Sequence, residues 1–153
     1  MENTLIIIKP SAVGRAIIGE IITRFEHKGL IIAGMKMMML TDELLNEHYS
    51  HLKGKPFFGN LKASMMALPV IVMCVRGPEA VQVVRTMTGA TNSRVACPGT
   101  IRGDFSMSGQ KNIIHASDSV ENATIELKRF FKDEEIFDYK PATIDLLYTS
   151  EEC

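Results

Sequence analysis

The chain has 153 residues, of which 46% are hydrophobic and 23% charged, so its length and composition are those of one globular domain, expected over residues 1–153. The formal net charge of −1 argues against a nucleic-acid coat protein, and no obligatory nucleic-acid partner is expected. The longest apolar run, residues 65–75, is far shorter than the about 20 residues that cross a membrane, so no membrane partner is expected.

Apolar runs and breakers indicate the elements of the first part of the chain. Residues 4–9 are a β-branched run ended by a proline and predict a buried strand. Residues 17–28 carry apolar positions at helical spacing and predict a helix with Gly29 at its C′ position. Residues 30–40 predict a second strand, whose alternating methionines are interpreted as gap-filling core residues: Met35, Met37 and Met39.

The middle of the chain alternates helix and strand signals. Thr41 is the predicted N-cap of a helix that reaches His48. A short helix is predicted over residues 57–66, a strand over residues 69–75 and a helix over residues 79–87. The last strand before the long loop is therefore flanked by helices on both sides.

The last third of the chain begins with 24 residues, 88–111, that show no apolar period. A structureless loop of more than about 12–15 residues in a compact domain is usually functional. Residues 112–115 predict a short strand, and Asp118-Ser-Val-Glu121 resembles a capping box that opens a last helix with Val120 facing inward. The order β-α-β-α-α-β-α-loop-β-α predicts an α/β (α+β) fold, a ferredoxin-like split βαβ antiparallel sheet covered by helices.

The long loop and its edges are cationic. Residues 85–111 hold four basic residues and one acid, a net charge of +3, whereas residues 133–153 hold seven acids and one lysine, a net charge of −6. Arginine forks and glycine-rich backbone suit phosphate oxygens, which favours a small anionic ligand, although such a loop is also typical of a solvated surface. Neither a Walker A motif nor G-x-G-x-x-G is present.

The cysteines and the N-terminus indicate a reducing compartment. Cys74, Cys97 and Cys153 are an odd number without a C-x-x-C pair, so neither a disulfide framework nor a zinc site is indicated. The short apolar run near the N-terminus does not have the length of a secretory signal. We therefore expect a cytoplasmic protein with reduced thiols.

His115 differs from the other histidines in its place along the chain. It ends the predicted strand 112–115 and immediately precedes the start of the last helix, where free backbone N–H groups favour anions. An imidazole is largely neutral at pH 7 and so nucleophilic. From position alone His115 is either catalytic or an ordinary core or surface histidine. The other three are interpreted as surface residues: His27, His48 and His51.

Glu126 is a candidate partner for His115. It falls about two turns into the last helix, from where its carboxylate could hold one ring nitrogen and fix the tautomer while the other nitrogen attacks. The alternative is a solvated helix charge, which spacing alone does not exclude.

Several sequence blocks resemble one family. Residues 112–119, Asn-Ile-Ile-His-Ala-Ser-Asp-Ser, resemble the N-x-x-H-x-S-D-S signature of nucleoside diphosphate kinases. Further blocks that are similar to that family follow in the same order over nearly the whole chain: Thr4-Leu-Ile-Ile-Ile-Lys-Pro, Arg24-Phe-Glu-His-Lys-Gly, His48-Tyr49, Lys55-Pro-Phe-Phe, Gly89-Ala-Thr-Asn and Pro98-Gly-Thr-Ile-Arg-Gly-Asp-Phe.

The resemblance implies a phosphotransferase with a covalent intermediate. His115 would take the γ-phosphoryl group of a nucleoside triphosphate and pass it to a nucleoside diphosphate in a ping-pong mechanism with broad base specificity. Ser117 and Glu126 would position the imidazole, with Lys9 and Tyr49 completing the catalytic set. The implied nucleotide-binding residues are Lys9, Phe57, Leu61, Arg85, Thr91, Arg102 and Asn112.

The resemblance also implies a cofactor and an assembly. Mg²⁺ would be held by the nucleotide phosphates without a direct protein ligand, with Asp118 at most a partner through water. Family members are homo-oligomers, and the long C-terminal arm, residues 132–153, favours a hexamer over a tetramer.

The sequence departs from the family pattern at three positions. Ser11 stands where an aspartate or asparagine is usual, Ser93 replaces a proline in a loop that contacts neighbouring subunits, and Gly109 replaces a larger apolar residue near the base. None of these removes a catalytic group. A regulatory scaffold of the same fold and a nucleic-acid binder are the alternatives, and the net charge of −1 speaks against the second.

Overall fold

The core of the fold is a four-stranded antiparallel sheet, seen in a computed structural model that describes residues 1–152. Its strands lie side by side in the order β2-β3-β1-β4, and each neighbouring pair is antiparallel. This confirms the predicted antiparallel sheet with helices packed on it. In chain order the strands are β1 (Glu2–Ile8), β2 (Ile31–Met38), β3 (Val70–Gly77) and β4 (Ile114–Ala116).

Helices connect the strands and cover both faces of the sheet. In the described part of the chain they are α1 (Pro10–Val13), α2 (Ile18–Lys28), α3 (Asp42–His48), α4 (Phe58–Met66), α5 (Ala80–Thr88), α6 (Ile101–Phe105), α7 (Val120–Phe130) and α8 (Ile144–Leu147). Two predicted helix ends are confirmed. Gly29 terminates α2 with φ +96°, which an L side chain adopts only with strain, and the Thr41 hydroxyl accepts a hydrogen bond from Leu44 N at the start of α3.

The second half of β1 is buried on both faces because a hydrophobic core packs on each face of the sheet. Ile6 and Ile8 pack in one core with Phe25 of α2, whereas Leu5 lies in a second core with Phe130 of α7. Alternate side chains of a strand point to opposite faces, so a strand that is covered on both sides reads as a continuous apolar run. This core fixes the end of β1, and with it the backbone of Lys9.

The loop at residues 88–111 contains more structure than its sequence predicts. Helix α6 (Ile101–Phe105) lies within it, capped by the Thr100 hydroxyl, which accepts a hydrogen bond from Gly103 N. Ile101 of this helix is fully buried. Five residues are too few to display an apolar period, so the helix depends on the burial of Ile101 and on the hydrogen bonds of Thr100 and Arg102.

The start of α7 corrects two predictions. The N-cap is Ser119, whose hydroxyl accepts from Asn122 N, and not Asp118, which instead accepts from the Asn122 side-chain amide at 2.6 Å. The cap therefore lies one residue later than the predicted capping box. Val120 is exposed rather than inward-facing, because it stands in the first turn beyond the edge of the core.

Three methionines of the predicted strand 30–40 are on the solvent side, so their interpretation as core residues is wrong, whereas Met38 packs against the core. Lys36, which alternates with them, lies on the covered face: its ammonium group is 2.6 Å from Glu135 Oε2 and 4.9 Å from the Phe131 ring centroid. The C-terminal segment thus covers the face with the lysine and leaves the opposite face bare. The exposed side chains are Met35, Met37 and Met39.

Two further expectations concern membranes and thiols. None of the helices in residues 1–152 has the length and apolar character needed to span a bilayer. Cys74 is buried and Cys97 exposed, and both are free thiols. Cys153 lies outside the described residues.

Candidate active site

The residues that sequence and resemblance select converge on one cavity of about 930 Å³. It opens where the end of β1 meets the start of β4, since Ile8 pairs with Ile114. Ser117 does not line it but is fully buried behind Glu126. The selected residues that line the cavity are Lys9, Tyr49, Phe57, Leu61, Arg85, Thr91, Arg102, Asn112, His115, Asp118 and Glu126.

His115 is held by a carboxylate on one ring nitrogen. Its Nε2 lies 3.1 and 3.2 Å from the two carboxylate oxygens of Glu126, so a proton on Nε2 is bonded there and Nδ1 is the nitrogen left with a lone pair. The hydrogen positions follow from this network of acceptors. The arrangement meets the requirement of a nucleophile whose tautomer is fixed by a neighbouring group.

Glu126 is itself held from behind. The Ser117 hydroxyl donates to Glu126 Oε2 at 2.6 Å and accepts from Leu5 N of β1 at 3.3 Å. Burial acts to raise the pKa of Glu126, but hydrogen bonds from His115 and Ser117 outweigh it, so the pKa lies below its ordinary value. The carboxylate is therefore charged at neutral pH and aimed at the imidazole.

His48 is buried beside His115, and its interpretation as a surface residue is wrong; His27 and His51 are exposed as predicted. The ring centroids of His48 and His115 are 4.7 Å apart in a T-shaped contact. Burial, and after it the proximity of His115, lowers the pKa of His48 to about 3, so this imidazole is neutral. The sequence signal that could have found it is its i+3 spacing from Leu45, the fully buried residue of α3.

One cluster in residues 1–152 has metal-ligating atoms close together: the ligand atoms of His48, His115 and Glu126 lie within 4.8 Å of one another. However, Nη1 of Arg129 lies 3.3 Å from His48 Nδ1, and a guanidinium group is only a donor. A cation thus occupies the lone pair that a metal ion would require. In this structure the cluster is joined by hydrogen bonds between its side chains and to Arg129.

Lys9 and Asn112 form the polar floor of the cavity. Lys9 Nζ donates to Asn112 Oδ1 at 2.6 Å, and the Asn112 amide donates to the carbonyls of Thr91 and Gly109. Burial, and then the charge of Arg102, lower the pKa of Lys9 to about 8. The ammonium group is thus still largely protonated at pH 7, and no carboxylate of residues 1–152 forms an ion pair with it, which favours an anionic ligand.

Arg102 braces the loop that carries Asn112. It is buried and donates to three carbonyl oxygens, those of Gly89 (2.7 Å), Asn112 (3.3 Å) and Ile114 (2.7 Å). Burial, and then the charge of Arg85, lower the pKa of Arg102 to about 10, so it remains charged at neutral pH. One side chain therefore supplies both positive charge and backbone hydrogen bonds.

The residue between Asn112 and β4 is strained. Ile113 has φ +60°, a left-handed conformation that is a genuine outlier for a β-branched residue. Ile114 N donates to Asn112 O, which closes a tight turn, and Lys9 N donates to Ile113 O at 2.8 Å. Such strain persists only where the surroundings over-determine it, and here it sets the direction in which the chain enters His115.

Aromatic and apolar residues line another part of the cavity. The Phe57 ring is 40% exposed, which leaves a face available for stacking, and Leu61 of α4 is partly buried. Tyr49 is buried with its ring centroid 6.3 Å from that of His115, and burial raises the pKa of its hydroxyl.

Two of the positions that depart from the family pattern, Ser11 and Gly109, line the cavity, whereas Ser93 is buried in the loop.

Sequence comparison relates the chain to one family over almost its full length. The family profile described as nucleoside diphosphate kinase matches residues 2–136. A nucleoside diphosphate kinase of Parabacteroides distasonis is 62% identical over 152 residues, which are 99% of both chains. A nucleoside diphosphate kinase of Pyrococcus abyssi is 51% identical over 96% of this chain and 94% of its own.

Solved structures agree with the sequence comparison. A halophilic nucleoside diphosphate kinase from Halobacterium salinarum, in complex with CDP, superposes with a TM-score of 0.94 at 39% identity and covers 96% of this chain and 98% of its own. An apo nucleoside diphosphate kinase from Encephalitozoon cuniculi gives a TM-score of 0.92 at 43% identity, over 97% of this chain and 100% of its own. The chain belongs to the nucleoside diphosphate kinase family.

Proposed function

We propose that this nucleoside diphosphate kinase carries the phosphoryl group on Nδ1 of His115. The nitrogen lone pair attacks the γ-phosphorus of a nucleoside triphosphate, the bond to the β-phosphate oxygen breaks, and the diphosphate leaves. A second diphosphate then attacks the phosphohistidine with a terminal oxygen, and the P–N bond breaks. One site thereby serves two nucleotides in turn, which gives ping-pong kinetics.

The pairing of Glu126 with Nε2 is the observation that carries this proposal. At 3.1 and 3.2 Å the carboxylate keeps a proton on Nε2, so Nδ1 presents its lone pair. As Nδ1 bonds to phosphorus, positive charge develops on the ring, and the adjacent carboxylate stabilises that charge. Ser117 holds the carboxylate in this direction, at 2.6 Å.

The cationic wall would neutralise the phosphates. Phosphoryl transfer asks a protein mainly for positioning and charge stabilisation, and Lys9, Arg85 and Arg102 all line the cavity. Thr91 and Asn112 add polar groups on the same side. We assign these five residues to the phosphates and ribose.

Base contacts would be limited to Phe57 and Leu61. A stacked ring and an aliphatic side chain do not read the exocyclic groups of a base, so broad base specificity is proposed. Gly109, which adds no side chain, leaves this part of the cavity wide: a Cβ placed there would meet only Asn92 Oδ1, at 3.8 Å.

Mg²⁺ is the proposed cofactor, and the donor chemistry of the cavity fits it. Asp118 is an exposed carboxylate in the cavity lining, and Mg²⁺ prefers oxygen ligands, keeps several waters and binds with substrate phosphates. Asp118 would reach the ion through water, with the phosphates as its direct ligands. When bound, the ion would supply charge neutralisation for the phosphates.

A radiolabelling experiment tests the proposed intermediate. Incubation with γ-³²P-ATP and Mg²⁺ is expected to give a base-stable, acid-labile label on the peptide that contains His115. Addition of unlabelled GDP is expected to remove the label and yield labelled GTP. Label on another residue would contradict the mechanism, and a label that diphosphate does not remove would favour a regulatory scaffold instead.

We propose that the protein forms a homo-oligomer in the cytoplasm, a hexamer rather than a tetramer. Exposed apolar side chains support assembly: Met35 and Met37 lie on the edge strand β2, and Phe137 and Leu146 in the C-terminal arm are 63% and 87% exposed. The free thiols Cys74 and Cys97 suit a reducing compartment.

The assembly is expected to have six times the 17.0 kDa mass of the chain, because the long C-terminal arm resembles that of the hexameric members of the family. Light scattering coupled to size-exclusion chromatography measures this mass. Truncation after residue 136 serves as the comparison and is expected to reduce the mass. A stable species of four full-length chains would contradict the proposal.

A further inference from the structure

The His48 ring forms part of the wall against which His115 lies. It makes T-shaped contacts with His115, Tyr49 and Phe130, at centroid distances of 4.7, 4.6 and 5.1 Å. Its side chain is 1% exposed. None of the functions assigned above uses this imidazole, although it touches the nucleophile.

Arg129 fixes which nitrogen of His48 carries the proton. Its Nε donates to Glu47 Oε1 at 2.7 Å, and its Nη1 lies 3.3 Å from His48 Nδ1. Because a guanidinium group can only donate, Nδ1 is the acceptor and Nε2 carries the hydrogen. Nε2 is buried and has no hydrogen-bond partner among residues 1–152, so the neutral ring is retained at the cost of an unsatisfied donor.

Glu126 also lies close to the same nitrogen. Its Oε1 is 3.8 Å from His48 Nδ1, so Nδ1 has the Arg129 cation and the Glu126 anion within 4 Å. Residues 126 and 129 are i,i+3 neighbours on α7, a spacing at which opposite charges pair directly. The charged and titratable groups around His48 are Glu47 of α3, Tyr49 and His51 of the following turn, His115 of β4, and Glu126 and Arg129 of α7.

We propose that His48 is a positioning residue that occupies Arg129 and thereby reserves the Glu126 carboxylate for His115. Arg129 has a neutral acceptor in His48 Nδ1 and a second anchor in Glu47. Without the acceptor, Nη1 turns to the Glu126 carboxylate and draws it away from Nε2 of the nucleophile. This inference rests on the proposed function, because it treats the Glu126–His115 pair as part of the transfer mechanism.

Two substitutions separate the acceptor from the ring. His48→Phe keeps an aromatic edge against His115 and removes the acceptor, whereas His48→Asn removes the ring and keeps Oδ1 near the position of Nδ1. The double variant His48→Phe/Arg129→Gln removes both the acceptor and the competing cation. His48→Leu has the same expected result as His48→Phe and replaces it if the phenylalanine variant does not fold.

The measurement is the rate of phosphohistidine formation from γ-³²P-ATP in a single turnover, over a range of pH. His48→Phe is expected to lower the rate by about tenfold, as loss of an outer hydrogen-bonding partner does at metal-bound histidines. It should also move the midpoint of the pH profile down by roughly half a unit or more. The midpoint moves down because the Glu126 carboxylate stabilises the protonated ring of His115 less when it is paired with Arg129 than when it is free of that cation.

The remaining variants decide between positioning and mere packing. His48→Asn is expected to keep the wild-type midpoint, and His48→Phe/Arg129→Gln to return both the midpoint and most of the rate. A wild-type profile in His48→Phe, or a double variant no better than His48→Phe, overturns the inference. Failure of wild-type protein to label His115 at all would instead overturn the proposed function.

Discussion

Replacement of His115 by alanine is expected to abolish phosphoryl exchange between ATP and GDP, with a loss on the order of 10⁴-fold or more, since it removes the proposed carrier of the phosphoryl group. The side chain is 19% exposed and lies at the edge of the core. Its removal also leaves Glu126 with its hydrogen bond from Ser117. We therefore expect the fold to survive the substitution.

A coupled assay of GTP formation measures the loss, and thermal unfolding of the same preparation reports on the fold. His27→Ala is the matched control, because His27 is exposed at the end of α2; it should retain full exchange. Exchange by His115→Ala within tenfold of wild type would contradict the assignment. If His115→Ala loses exchange and also unfolds at a lower temperature, damage to the fold could explain the loss. His115→Gln, which keeps a polar side chain, then repeats the test.

The sheet and most helices could be predicted because their burial follows simple periods. Residues 5–8 of β1 are covered on both faces and form a continuous apolar run, and Gly29 and Thr41 mark helix ends through chemistry that is local in sequence. β2 is the strand whose covered face the sequence predicts least well. Its alternation was correctly recognised, but the covered face is the one that Lys36 shares with Glu135, a contact 99 residues distant in sequence.

The nucleophile could be proposed from sequence, whereas its surroundings could not. Spacing and the family resemblance select His115 and Glu126, but neither shows that Lys9 bonds to Asn112 across 103 positions of the chain. His48 was missed because a histidine at the end of a helix is usually solvated. Ile113 gives no local signal either, since a β-branched residue opposes the left-handed conformation that it adopts.

Replacement of Arg102 by methionine is expected to destabilise the protein and to lower exchange together. The substitution keeps an aliphatic stem but removes the Arg102 hydrogen bonds to three carbonyl oxygens. Those of Gly89 and Ile114 lose their donor, whereas Asn112 O keeps the bond from Ile114 N. Each unpaired buried acceptor costs about 1–3 kcal/mol. At roughly 2–4 °C per kcal/mol for a chain of this size, the transition temperature should fall by about 10 °C.

The loss of exchange in Arg102→Met should exceed what lower stability explains. Two of the three carbonyls flank Ile113, whose strained backbone persists only while its neighbours are held. Relaxation of that turn would shift both Asn112 and the start of β4, and the cavity would also lose one of its positive charges. We expect exchange at 20 °C, well below the unfolding transition, to fall by about 10²-fold or more.

One further variant separates the positive charge of Arg102 from its three hydrogen bonds, and a second serves as a surface control. Arg102→Lys keeps the positive charge but cannot donate to three carbonyls. Its transition temperature should therefore fall nearly as far as that of Arg102→Met, while its exchange should be faster. Arg94→Met removes an exposed arginine from the same loop and should leave the transition temperature within about 1 °C, because surface substitutions usually change stability by less than about 0.5 kcal/mol. If Arg102→Met unfolds at the wild-type temperature, the three hydrogen bonds do not stabilise the loop, and Arg102 acts through its charge alone.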